Sequence, residues 1–138
     1  KGDILPEVIQ TARQMQMESQ CILLTFNQKN LLMAKAYTSQ MLISALVVSE
    51  SDLTLVQAAG IPKEQLIVYI SEKTPASVLE TLRRESMIIM ADMSEGLRNN
   101  AKAYDPDFYR NKVATLNLGI LITDYPVKAA QAFDIAKP

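Results

Sequence analysis

Polar and charged side chains follow the five short apolar runs of this sequence, at the points where the runs end. In chain order they are Thr25 and Asn27 with the aromatic Phe26 between them, then Ser49 and Glu50, then Ser71, Glu72 and Lys73, then Asp92, and finally Thr123 and Asp124. If the runs are strands of a parallel sheet, these residues lie at the carboxyl ends, where such folds bind ligands. Three or four carboxylates converging there could hold a hard cation such as Mg²⁺ or Ca²⁺, because these ions prefer oxygen ligands.

Single members of this set could recognise a substrate. Lys73 could meet a phosphate as a point charge, and Phe26 could pack on a glycerol-like part of a ligand. Structural roles are the alternative explanation for the same residues. Side-chain oxygens at helix starts satisfy free backbone amides, which would explain Asn27, Ser49 and Asp124. Solvated loop charge would explain Glu72 and Asp92, and packing at the rim of the fold would explain Phe26.

The composition excludes several chemistries. The 138 residues contain no histidine, so histidine-based nucleophile systems and Cys/His zinc sites cannot form within them. With four glycines there is no phosphate-binding glycine motif. A net charge of −1 gives no reason to expect nucleic acid as a partner, and no apolar run reaches the roughly 18–20 residues of a membrane span. No signal peptide is visible, and the compartment is left open.

The apolar runs predict the elements that position these side chains. The runs cover residues 21–26, 42–48, 66–70, 87–91 and 119–122, and they are nearly continuous, which is typical of strands buried on both faces. Helical patterns lie between them. Asn27 and Ser49 are expected as helix caps, Thr74 as a further cap with Pro75 at the first helical position, and Gly60 as a helix stop. The interval from Ala91 to Gly119 has room for two short helices.

This order predicts an α/β chain of parallel β/α repeats with right-handed crossovers, in one domain spanning residues 1–138. Five parallel strands suit either a compact doubly wound sheet or most of an eight-stranded barrel. The pattern alone leaves both open.

The last apolar run favours the barrel over the doubly wound sheet. Residues Gly119 to Pro126 read Gly-Ile-Leu-Ile-Thr-Asp-Tyr-Pro, which resembles the final strand of the glycerophosphodiester phosphodiesterase family, a TIM barrel. The segment Ile22–Asn27, with Leu31-Leu32 after it, is similar to that family's fourth strand, and Met87–Asp92 falls where its seventh strand is expected. The resemblance implies a partial TIM-barrel-like fold of five strands, roughly strands four to eight, and makes the chain the C-terminal segment of a longer phosphodiesterase.

The chain also departs from that family's pattern. The resemblance places the catalytic histidines and acidic metal ligands on early strands, and no counterpart of them occurs here. Thr25-Phe26 stands in place of a Ser-Phe pair, and Ala91-Asp92 in place of a Trp-Thr pair. The resemblance therefore implies that a small phosphodiester substrate and a divalent cation, Ca²⁺ or Mg²⁺, belong to a full-length parent. We expect this segment alone to hold no cofactor and to be inactive.

Within that interpretation, the residues expected on the substrate side are Thr25, Phe26, Asn27, Glu50, Glu72, Lys73, Asp92 and Asp124. Two alternatives remain: a stand-alone, non-catalytic α/β module that binds a ligand or partner, and an enzyme that uses only the carboxylates of Glu72, Asp92 and Asp124. Five barrel strands leave two open edges, so we expect completion by the N-terminal half of the same protein or by a homo-oligomer.

Overall fold

The computed structural model describes residues 4–38, 40–94 and 106–133. The chain divides into two compact units, Lys1–Met87 and Ile88–Pro138. Each unit alternates strands with helices, and every strand pairing given below is parallel.

The described residues of the first unit form three strands and four α-helices. In chain order they are α1 (Leu5–Gln14), β1 (Ile22–Thr25), α2 (Gln28–Tyr37), β2 (Leu42–Val47), α3 (Glu50–Ala59), β3 (Leu66–Ile70) and α4 (Ala76–Arg84). Short 3₁₀ helices, Glu18–Gln20 and Lys63–Gln65, precede β1 and β3. Strand β2 lies between β1 and β3 and pairs with both.

The register of this sheet separates its two faces. Leu23 lies beside Ile43, and Ala45 lies beside Val68, so these side chains share one face, and all four are buried. The opposite face carries Ile22 and Leu24, which are exposed. Because side chains alternate along a strand, the nearly continuous apolar runs supply residues to both faces.

Helix boundaries in the first unit follow the local sequence. The Asn27 side chain accepts a hydrogen bond from the Asn30 amide (2.9 Å), and the Ser49 hydroxyl accepts one from the Asp52 amide (3.2 Å). Both residues are therefore the predicted helix caps. Gly60 ends α3 with φ +61° and ψ +40°, a left-handed conformation that favours glycine.

The second unit contains two strands and two α-helices among its described residues. They are β4 (Ile88–Asp92), α5 (Pro106–Leu116), β5 (Ile120–Ile122) and α6 (Pro126–Ala132). Met93, Tyr109 and Ala129 form its buried core, with Phe108, Leu121 and Phe133 packed against it. The Met93 amide donates to the Ile122 carbonyl, which continues the pairing of β4 with β5 past the end of the strand.

The five predicted strands are confirmed, each within two residues at either end. The prediction for Thr74-Pro75 was wrong: α4 starts at Ala76, Pro75 is its cap residue, and no side chain caps it. The Thr74 hydroxyl instead bonds a neighbouring strand. Of the two short helices expected between Ala91 and Gly119, α5 is present, and the rest of that interval, residues 95–105, lies outside the described residues. None of the described helices is long and apolar enough to cross a membrane.

The left-handed conformation of Gly60 gives a stability prediction. A Cβ at this position would meet only the Lys35 Nζ, at 3.4 Å, which is ordinary contact, so backbone strain dominates the effect. We expect Gly60→Ala to lower the free energy of unfolding by about 1 kcal/mol, measured by urea denaturation. Gly60→Asn is the matched control and should lose less, because asparagine tolerates this conformation. Equal losses in the two variants would contradict the assignment.

Candidate functional site

The carboxyl ends of β1 and β2 border a small cleft in the first unit. Its volume is about 100 Å³, and its lining includes Thr25, Phe26, Asn27, Val48 and Asp52. Three of the residues predicted from the sequence therefore lie together at one site. The cleft contains both apolar and amide surface, and a group of a few atoms would fill it.

Thr25 contributes to the lining of the cleft, but its side chain is buried. Its side chain is 1% exposed, and its hydroxyl donates to the Ser44 carbonyl at 2.6 Å. This bond joins the ends of β1 and β2. In this structure Thr25 positions the two residues that follow it, and contact of Thr25 with a substrate stays a prediction.

Phe26 is the most prominent apolar group at this end of the sheet. It is 56% exposed, and its ring meets the Tyr69 ring edge-on, with 6.1 Å between the centroids. The contact with Tyr69 on β3 fixes the orientation of an aromatic side chain that solvent still reaches. A fixed, exposed ring can pack against an apolar part of a ligand at little cost in side-chain entropy.

Helix starts occupy the polar groups beside the cleft. The Asn27 amide oxygen caps α2, as described above. Asp52 accepts hydrogen bonds from the Val48 amide (3.0 Å) and the Ser49 hydroxyl (2.8 Å), so Ser49 and Asp52 cap α3 reciprocally. Glu50 accepts a hydrogen bond from the Ser77 hydroxyl at 2.7 Å, which links α3 to α4. These contacts are structural and need no ligand.

The loop after β3 presents Glu72 and Lys73 to solvent. It is a tight turn in which the Thr74 amide donates to the Ser71 carbonyl (3.1 Å) and the Lys73 amide donates to the Ser71 hydroxyl (3.1 Å). Thr74 is buried. Its hydroxyl donates to the Val47 carbonyl at 2.8 Å and accepts from the Ser71 amide at 3.0 Å. The turn is thereby fixed to the end of β2, so the two exposed charges project from an anchored backbone.

In the second unit the strand ends carry Asp92 and Asp124. Asp92 is partly buried and accepts from the Ser94 amide at 2.8 Å. Asp124 is exposed, and Tyr125, not Asp124, is the cap residue of α6. Thr123 accepts from the Tyr125 amide (3.0 Å) and is hydrogen-bonded to the phenol of the fully buried Tyr109 (2.6 Å). Tyr109 could not be identified from the sequence, because nothing in its local pattern separates a core aromatic residue from one that positions a strand end.

A metal ion would need ligands beyond those that the structure brings together. Among residues 4–38, 40–94 and 106–133, no three or more Asp, Glu or Cys side chains lie close enough to hold one. The donor set within these residues therefore does not fit a divalent cation, and no catalytic step can be derived through one here.

Comparison with known proteins shows which solved structure has a similar fold. No protein-family model matches the chain, and no curated protein matches it. The fold is similar to the crystal structure of a glycerophosphoryl diester phosphodiesterase from Parabacteroides distasonis, with a TM-score of 0.77 and 17% sequence identity. The match covers 100% of this chain and 50% of that protein. The chain thus spans about half the length of the structure it matches, and the α/β, partial TIM-barrel-like fold class predicted above is confirmed.

The anchored turn after β3 generates a second stability prediction. Thr74→Val keeps the side-chain size but leaves the Val47 carbonyl and the Ser71 amide without their partner. We expect a loss of about 1–3 kcal/mol in the free energy of unfolding. Thr54→Val is the matched control: Thr54 is exposed on α3 and its hydroxyl donates to the Glu50 carbonyl of its own helix, so its loss should stay below about 0.5 kcal/mol. Similar losses for both variants in urea denaturation would show that the turn is not anchored by Thr74.

Proposed function

We propose that this chain is the C-terminal portion of a glycerophosphodiester phosphodiesterase-like protein, which hydrolyses a phosphoric diester when complete. The observation that supports this most strongly is the whole-chain fold similarity to half of a solved phosphodiesterase. The run Gly119–Pro126 adds to it, because its Thr-Asp-Tyr-Pro segment lies directly after β5, where the resemblance places it.

In this proposal the chain contributes the substrate side of the site and not the reacting groups. Phe26 offers a fixed, exposed ring to the glycerol part of the substrate, and Lys73 offers a positive charge to the phosphate. Proton transfer and the divalent cation, Mg²⁺ or Ca²⁺, are assigned to residues outside the segment. Two findings support this division: the chain has no histidine, and its described acids form no cation-binding group.

The first prediction concerns the 138-residue chain alone. Incubated with a glycerophosphodiester such as glycerophosphocholine and with Mg²⁺ or Ca²⁺, it should release glycerol phosphate no faster than buffer does, because it has no histidine to act as a general base and its described acids form no group that could hold a metal. Coupled detection of glycerol 3-phosphate measures this, with a complete phosphodiesterase as positive control. Sustained turnover by the purified chain would contradict the proposal and favour an enzyme based on its own carboxylates.

The second prediction concerns the complete protein. Lys73→Ala should raise KM for the diester about tenfold, because a charge-assisted contact to the phosphate is lost. Lys63→Ala is the control. Lys63 is also an exposed lysine, but it precedes β3, whereas Lys73 follows that strand. Equal KM values for the two variants would exclude the assigned role of Lys73. If the complete protein has no activity at all, the alternative of a non-catalytic binding module gains support.

A further inference from the structure

The anchored turn after β3 carries opposite charges on two neighbouring residues, Glu72 and Lys73. Both residues are exposed, and in the part of the chain that the structure describes neither side chain forms a hydrogen bond or an ion pair. The proposed function assigns Lys73 to the phosphate and gives Glu72 no role. A carboxylate beside a phosphate-binding lysine opposes the binding of an anion, because it repels the negative charge that the lysine attracts.

The other acids near the strand ends of the first unit have structural partners. Glu50 accepts a hydrogen bond from the Ser77 hydroxyl at 2.7 Å, and Asp52 accepts one from the Val48 amide at 3.0 Å. Glu72 has no such partner among the described residues, yet the turn that carries it is fixed to β2, as described above. Its charge is therefore held at a defined place without being used within the fold.

We propose that Glu72 binds a positively charged group in the alcohol part of the diester while Lys73 binds the phosphate. This inference rests on the proposed function and names its substrate class: diesters of a cationic amino alcohol, such as choline or ethanolamine. In these head groups an ethylene link joins the phosphate oxygen to the charged nitrogen, so a negative and a positive charge lie close together. Adjacent side chains of opposite charge on a fixed turn complement both.

The charge pair also predicts which diesters are disfavoured. A neutral head group, such as glycerol, offers nothing to offset the repulsion between the Glu72 carboxylate and the phosphate. Discrimination between head groups thus comes from an attraction to one class and a repulsion of the other. Because both side chains are exposed, each contact contributes modestly, and we expect effects of about fivefold for the loss of one ion pair. Glu72 is in this view a specificity-determining residue and not a catalytic one.

The test compares head groups in the complete protein. Glu72→Gln keeps the size of the side chain and removes its charge. It should raise KM for glycerophosphocholine and glycerophosphoethanolamine about fivefold, and it should lower KM for glycerophosphoglycerol about twofold, because the repulsion of the phosphate is gone. A folding defect cannot produce changes of opposite sign. Glu64→Gln is the matched control: Glu64 is also exposed, but it precedes β3, and its removal should leave every KM unchanged.

Lys73→Ala and Glu72→Lys complete the comparison. Lys73→Ala should raise KM for the cationic and the neutral diesters alike, because all of them contain the phosphate. Glu72→Lys should raise KM for the cationic diesters further than Glu72→Gln does, by roughly tenfold. Equal changes in KM for cationic and neutral diesters in the Glu72 variants would overturn this inference and leave the proposed function intact. If the complete protein hydrolyses none of these diesters, the proposed function and this inference fail together.

Discussion

The parallel register of β2 between its two neighbours is the constraint on which the first unit depends. This register places Leu23 beside Ile43 and Ala45 beside Val68, so one face of the sheet is buried as a block. A slip of one residue would move the side chains that β2 buries on this face, such as Ile43 and Ala45, to the opposite face. The same register aligns the carboxyl ends of the strands, which is why Thr25 reaches the Ser44 carbonyl and Thr74 reaches the Val47 carbonyl.

Local sequence was sufficient to predict the elements, and it failed where a side chain bonds outside its own segment. The apolar runs predicted all five strands, and the caps at Asn27 and Ser49 follow from hydrogen bonds within three residues. Thr74 was wrongly predicted as a cap because the local pattern could not reveal the Val47 carbonyl, 27 residues away. The Tyr109–Thr123 bond is a similar case, since it joins a helix to a strand end.

The sequence could predict which residues lie at the strand ends of the candidate site. It could not predict which of them have structural hydrogen bonds and which remain exposed. Phe26 and Asn27, both predicted from their place at a strand end, line one cleft. The sequence could not show that helix capping occupies the oxygens of Asn27, Ser49 and Asp52. Because these groups already have hydrogen-bond partners, the exposed members of the predicted set that neither helix capping nor the Glu50–Ser77 bond occupies in the first unit are Phe26, Glu72 and Lys73. They are an aromatic ring, a carboxylate and a cation.

The described residues around β2 do not satisfy every polar group that this strand buries, and Ser44 is the example. Its side chain is fully buried, and its hydroxyl has no hydrogen-bond partner within the described part of the chain, which costs free energy that a paired group would not. Ser44 lies beside Leu24 and Ile67, on the face that carries the exposed side chains Ile22 and Leu24. This sheet face therefore loses stability in two ways: a buried hydroxyl without a partner lies at its centre, and apolar side chains at its edge are exposed to water. Covering that edge would remove apolar surface from water, whereas pairing the Ser44 hydroxyl requires a polar group on the same face.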